Sequence, residues 1–494
     1  MGSILAGCSN LPENDDLLND NRLEGFYAVE DIPLPDGLTP EVGGMAFMPG
    51  GQLAVAFHRG EVMTYDPANR HWSLFAKGLH DPLGVRAISD HELLVMQRPE
   101  LTRLTDEDQD GEADLYQTVT DGFGLSGNYH EFAFGPIADR DNNLYFSLNT
   151  ASNGAGIWDE IRGTFNPLGR DGRMYSCVPY RGWVMKLSPA GELTPWANGF
   201  RSPDGIGFDQ DGDMFVTDNQ GDWLGTSKLY HVEQGKFYGH PSSLVWQEGW
   251  NKNPLSLPVD TLDSMRTRAA VLFPHNIMAN SPTQPLVIPD NISFGPFAGQ
   301  LLVGDMDYPR IMRVMLEKVR GAYQGACVSF LDSAGLSIGN HRMAFAPDGS
   351  LWLGKTAYVW VGDKGIQRVT YQGGQPMDVL HMTVTPHGFD LTFTRPVNQA
   401  AADTSSYQFQ RYYYAYHADY GSPRMDVTSV PVKSVQVSED GLLVSLTLAS
   451  MKPGYVYDLE IKDVRSEKGV ALVNNRLFYT LNQLHSHELR ATIE

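Results

Sequence analysis

The chain reads as all-β: a six-bladed β-propeller followed by a small immunoglobulin- or fibronectin-like β-sandwich. Three observations lead there. A two-strand hairpin recurs six times, a third apolar strand follows most copies, and the pattern changes to longer alternating strands beyond residue 376.

The hairpin is clearest at 339–355, GNHRMAFAPDGSLWLGK. Apolar residues alternate on both sides of the turn, as pleated strands require. Pro347 and Gly349 supply the fixed φ and the positive φ that close the turn. Related units stand at 44–57, 84–97, 130–148, 205–218 and 292–305, and third strands at 61–65, 183–187, 228–232, 311–315 and 366–370. Units of about four antiparallel strands cannot bury both faces alone, whereas radial stacking buries them and leaves only short edges. Long insertions after the third and fourth units suit a propeller better than a stacked solenoid.

Residues 1–24 come first. Leu5-Ala6-Gly7-Cys8 resembles a bacterial lipobox, which implies a lipoprotein anchored at Cys8 in the periplasm or on the outer-membrane surface, with the lipid as its only membrane contact. Residues 10–21 are polar and acidic, a tether. The propeller spans 25–372, with a strand at 25–33 helping to close the ring. After the linker Gly373-Gly374-Gln375-Pro376, the sandwich occupies 377–494, with strands at 380–385, 389–394, 407–416, 433–437, 442–448, 455–461 and 477–481. It carries no catalytic motif, and Tyr412-Tyr413-Tyr414 reads as packing.

Composition narrows the function. A hydrophobic fraction of 42% with 19% charged residues is that of a globular protein, and a net charge of −22 argues against nucleic acid or an anionic membrane as partner. The three cysteines form no CxxC, which excludes a zinc ribbon and a c-type haem; Cys177 and Cys327 read as buried free thiols. No run is long enough to span a bilayer. There is no G-x-S-x-G, H-E-x-x-H, P-loop or dinucleotide fingerprint.

Two constellations carry chemistry. Asp106, Asp108, Asp110 and Asp114 occupy positions 1, 3, 5 and 9 of a loop with Gly111 at position 6, a spacing that wraps oxygens around calcium. Position 12 is Gln117 in place of the bidentate Glu of an EF-hand, so the expected role is to pin a loop. The second constellation follows from blade geometry. Loops entering the innermost strands bring His80, Asp81, His130, Arg201, Asp204, His341 and Arg342 to one end of the ring. Loops leaving the second strands bring His58, Gln97, Arg98, Asn149, Asp218, Asp305, Asp307 and Lys355 to the same funnel.

Three segments then carry a resemblance: 128–136 (NYHEFAFGP), 199–205 (GFRSPDG) and 340–342 (NHR), with 229–241 (LYHVEQGKFYGHP) in support. Together they resemble the soluble quinoprotein glucose/sorbosone dehydrogenases and, over about residues 40–370, the membrane-bound dehydrogenase-type propellers of environmental bacteria. The resemblance implies a propeller holding pyrroloquinoline quinone (PQQ), a sugar or oligosaccharide substrate and a separate electron acceptor. It makes His130 the base, Arg201 the quinone-side arginine, and His341 or Arg342 part of a second arginine site. Asp204, Asp305, Asp307 and Lys355 would then contact the cofactor; Asp307 stands where the family has a lysine. A second reading places a divalent transition metal on histidines drawn from His80, His130, His240, His275 and His341, as in a polysaccharide lyase. A third is a non-catalytic glycan-binding propeller.

Overall fold

The computed structural model describes residues 23–333, 335–357 and 362–485; the lipobox-like Leu5–Cys8 and the acidic tether lie outside the described residues. Six antiparallel blades follow in chain order. Their innermost strands are Val42–Phe47, Pro82–Ala87, Ala133–Ala138, Gly205–Phe208, Pro282–Val287 and Asn340–Phe345. Each contacts the next, and the sixth contacts the first, so the ring is closed. Tyr27–Asp31 pairs with Gly365–Tyr371, and the start of the chain thereby supplies the outer strand of the last blade.

The second strands show why the pattern is so apolar. Leu53–Phe57 and Leu351–Lys355 are buried along their whole length because neighbouring blades cover both faces. The core lies between blades. Ala54, Val62 and Phe75 of the first blade meet Leu93, Val95 and Leu104 of the second, while Val42 and Phe57 meet Trp352 and Ile366 of the sixth. Near the axis the strands nearly touch. A Cβ on Gly84 would fall 1.6 Å from the Gly135 carbonyl oxygen, and one on Gly44 would fall 2.5 Å from the Gly84 Cα. Glycine is required there by space.

The fifth blade departs from the others. Its outer strands Arg310–Val319 and Ala322–Asp332 are 10 and 11 residues long and project beyond the ring. The projecting edge pairs with Arg476–Leu481, from Gly325↔Thr480 to Cys327↔Phe478. One sheet therefore runs from the fifth blade through Arg476–Leu481, Tyr455–Ile461 and Tyr407–Tyr414 to Arg424–Val430. A second sheet, Val379–Thr385, Gly388–Phe393, Leu443–Leu448 and Val432–Val437, packs against it. Met315, Val319, Ala326 and Val328 of the propeller enter the same core as Phe389, Phe409 and Tyr457. The sandwich is thus hydrogen-bonded into the fifth blade. Arg424–Val430, absent from the strands read in sequence, is exposed along most of its length and lacks the alternation that marks a half-buried strand. Cys177 and Cys327 are both buried and free.

A buried ion pair secures this junction. Arg313 donates to Asp378 Oδ2 at 2.8 Å with both side chains fully buried, and Arg313 also bonds Gln300 and the Val379 carbonyl. Asp378→Ala leaves a buried guanidinium without its counter-charge, a change that costs about 3–5 kcal/mol. Denaturant unfolding should show a loss of that order; a variant within about 1 kcal/mol of the parent would contradict this role.

Candidate functional site

The loops that enter the innermost strands and leave the second strands open on one end of the ring, around a cavity of about 270 Å³. Its lining includes His58, Tyr129, His130, Asn149, Arg173, Arg201, Asp204, His275, Asp307, His341 and Tyr420.

His130 is placed by a rigid loop. Asn128 accepts from the His130 and Ser152 backbone N–H groups at 3.1 and 3.0 Å and donates to the Ser152 and Ala155 carbonyls. Buried Glu131 takes both the N–H and the hydroxyl of Ser126 at 2.7 Å. His130 Nδ1 lies 2.8 Å from the Thr150 carbonyl oxygen. A carbonyl only accepts, so Nδ1 carries the proton and Nε2 is the lone-pair nitrogen. Nε2 lies 3.4 Å from Ser202 Oγ, at the cavity wall. Burial, reinforced by the charge of Arg201, pushes the imidazole down to about 3. The ring is neutral across the physiological range.

Arg201 is held from behind. Its Nε donates to Asp222 Oδ1 at 3.0 Å, and Asp222 Oδ2 lies 3.1 Å from His240 Nε2. Burial alone would raise the Asp222 carboxyl, but His240 and Arg201 outweigh it and hold the group well below the usual carboxylate range. No hydrogen bond occupies the Arg201 Nη groups among the described residues. Two further side chains join this wall, both missed in the sequence. Tyr420 comes from the sandwich, with Arg173 4.7 Å and Arg201 5.6 Å from its ring centroid. Arg173 comes from the long insertion in the third blade. Neither lies in a repeat, so no local signal marks it.

Other expected site residues are committed elsewhere. Arg342 does not line the cavity. It lies on the axis beneath, donating to the carbonyls of Gly43, Leu83, Asp204 and His341 at 2.9–3.3 Å, above the Phe134 ring. His341 lines the cavity, but Nδ1 is 2.9 Å from the Val42 carbonyl and Nε2 is 2.9 Å from Asp204 Oδ1. Asp204 is therefore the shared partner of His341 and the counter-ion of Arg342. Asp305 turns away from the cavity and accepts from the backbone N–H groups of Asn280, Ser281, Asp307 and Tyr308; burial raises its carboxyl to about 6. Asp218 does the same for Arg201 and Ser202, and Gln97 for His80. The last residue of a second strand thus clamps the loop entering its own blade. Lys355 is buried outside the cavity against Gln367, and burial lowers its ammonium to about 7.

The funnel histidines do not gather around a metal. His80 is exposed and outside the lining, and His240 is buried against Asp222. Among the described residues, the only set of three or more candidate ligand atoms within 4.8 Å of one another is Asp106, Asp108 and Asp114. That loop lies at the opposite end of the ring. Asp110 is not in the set; its N–H bonds Asp106 and Asp108. Asp307 and His275 do line the funnel, together with Arg201.

The protonation state of His130 is open to measurement. Its folded pKa lies below its unfolded value, so its stability contribution is full above about pH 6.5 and is lost as pH falls toward 3. From pH 7 to pH 5 the parent should lose about 2 kcal/mol more than His130→Gln. Equal losses in the two proteins would mean that the imidazole charges freely.

The fold has solved counterparts. A candidate oxidoreductase (glucose dehydrogenase) from Thermus thermophilus is 18% identical over 70% of this chain and 100% of its own, with a TM-score of 0.50. The PQQ-bound aldose sugar dehydrogenase of Streptomyces coelicolor is 17% identical over 69% of this chain and 98% of its own (TM-score 0.47). The apo soluble aldose sugar dehydrogenase of Escherichia coli is 13% identical over 70% and 100% (TM-score 0.48). No curated protein matches the chain in sequence. The model of one family, "Domain of unknown function (DUF7133)", matches residues 64–354, more than half of the chain, and the chain belongs to that family.

Proposed function

We propose that the funnel oxidises a sugar hydroxyl, in the manner of a PQQ-type aldose dehydrogenase, with His130 as general base and Arg201 as the facing cation. The observation that carries this reading is the orientation of His130. Its proton is committed to the Thr150 carbonyl, and its lone pair stands at the wall of a cavity that also holds Arg201. The resemblance of 128–136 and 199–205 to the quinoprotein dehydrogenases points to the same two residues, and the architecture shared with the Thermus protein accommodates them.

The wall fits a flat, anionic cofactor. PQQ is planar and bears carboxylates, and here the Arg201 Nη groups lack protein partners among the described residues, while exposed Arg173 also stands over the Tyr420 ring. Asn149 Oδ1, buried and without a hydrogen-bond partner, offers an acceptor to a ring N–H. When bound, PQQ supplies the two-electron acceptor that none of the protein side chains provides. The remaining work belongs to the chain. His130 Nε2 takes the hydroxyl proton, and the Nδ1–H bond to Thr150 holds the ring and stabilises the imidazolium. An anion beside the ring raises its proton affinity. Arg201, kept in place by Asp222 and His240, stabilises negative charge that builds in front of it. Phe132, Phe134 and Leu83 keep water from one side.

Protein supplied with PQQ should reduce an artificial dye with an aldose. His130→Ala should lower the rate about 10²–10⁴-fold, the usual worth of general-base catalysis, and Arg201→Gln should weaken PQQ binding. A His130→Ala protein working at the parental rate, or a protein that takes up no PQQ, would overturn the reading.

We infer also that the 106–114 loop binds calcium through Asp106, Asp108 and Asp114, the three carboxylates that the fold brings within 4.8 Å. A ligand bound only by the folded state raises stability with its concentration. The melting temperature should rise with added Ca²⁺ and fall in chelator, and Asp108→Ala should abolish the response. A melting temperature indifferent to both would count against the site.

A further inference from the structure

Large aromatic side chains are normally covered, yet three around the funnel are open: Tyr129 is 44% exposed, Tyr420 53% and Trp158 58%. Each is fastened in place. Tyr129 lines the cavity with its ring 5.8 Å from that of His130, nearly perpendicular to it. Tyr420 lines the same cavity, and its strand bridge to Asp222 and the Gly421 N–H bond to Gly221 (2.9 Å) strap it to the fourth blade. Trp158 donates its backbone N–H to the Ser126 carbonyl at 2.7 Å, and its indole packs against Gly127, where an added Cβ would fall 2.0 Å from the ring. Gly127 is two residues from Tyr129, about 7 Å along the chain at most.

From this arrangement we propose that the funnel mouth is an oligosaccharide-binding rim, in which sugars beyond the reacting one stack on Tyr129, Tyr420 and Trp158. The inference rests on the reading that the funnel takes a sugar. An exposed ring offers a flat apolar surface with a negative face, which suits the C–H face of a pyranose. Ser152, Arg173 and Gln220, which line the same cavity as Tyr129 and Tyr420, offer hydrogen-bonding groups that suit its hydroxyls. The cavity, about 270 Å³, has no room for both a tricyclic cofactor and a chain of sugars, so the rest of such a chain lies on the rim. Exposed Asp159, Glu160 and Asp419 beside the rings, with a net charge of −22, select a neutral glycan over a polyanionic one.

The test is an array of neutral and anionic glycans of one to six sugars, probed with the full chain without added cofactor, followed by calorimetry on those retained. Retention should be confined to neutral glycans and affinity should rise at least threefold for each sugar from the second to the fourth. Trp158→Ala and Tyr420→Ala should each remove part of that gain, and Trp158→Phe and Tyr420→Phe should restore it, with melting temperatures confirming that all four variants fold. Retention of no glycan, an affinity independent of chain length, or a gain unaffected by both alanine variants would overturn the rim. Glycan retention by a protein that binds no PQQ would uphold the rim while sinking the dehydrogenase reading. PQQ-dependent oxidation of monosaccharides with no preference for longer chains would do the reverse.

Discussion

The structure is organised around a cation on the propeller axis. Arg342, from the innermost strand of the sixth blade, donates to carbonyls at the start of the first, second and fourth blades and lies over Phe134 of the third. Backbone groups that project into the axis need partners because little water reaches them. One guanidinium, with five donors in a planar fork, satisfies several at once. Its charge is balanced by Asp204, which His341 also contacts. Glycines at 44, 84 and 135 let the strands come close enough for a single side chain to reach across.

Once the axis is locked in this way, the chemistry is confined to the layer above. His341 and Asp204 touch the cavity, but their polar atoms are engaged below it. Asp218 and Asp305 spend their carboxylates on loop N–H groups, which sets where Arg201, Ser202 and Ser281 enter the ring. Among the groups facing the cavity are a neutral imidazole whose Nε2 points to the cavity wall and a guanidinium whose Nη groups have no protein hydrogen bond among the described residues. The sandwich takes part as well. Its sheet continues the fifth blade, and its 415–422 segment crosses to the fourth, so Tyr420 reaches the funnel from a unit with no catalytic signature of its own.

Much of this was legible in the sequence. Paired apolar strands joined by turns rich in Gly, Asp, Asn and Pro are local signals, and they located the blades because each blade repeats them. His130 and Arg201 stood in segments with a recognisable pattern, and both line the cavity. Residues at the ends of second strands misled, since an acid that clamps backbone N–H groups has the same spacing as one that faces a ligand. Asp305 is of this kind, and Lys355 is buried against the Gln367 side chain: whether such a side chain turns into the funnel or behind the strand is decided by packing that the repeat does not encode. Arg173 and Tyr420 are invisible for a different reason. They reach the cavity through an insertion and through a pairing between residues 325 and 480, contacts too distant in sequence to leave a periodic trace.

The most direct test of the account is the equilibrium unfolding of Arg342→Met, which keeps an apolar stem and removes the guanidinium donors. Removing the cation leaves Asp204 without its arginine and strips several buried carbonyls of a donor, a change expected to cost about 3–5 kcal/mol. A loss of that size is the predicted result. An unfolding curve that superimposes on that of the parent would show that the ring closes without its axial cation, and would contradict the account.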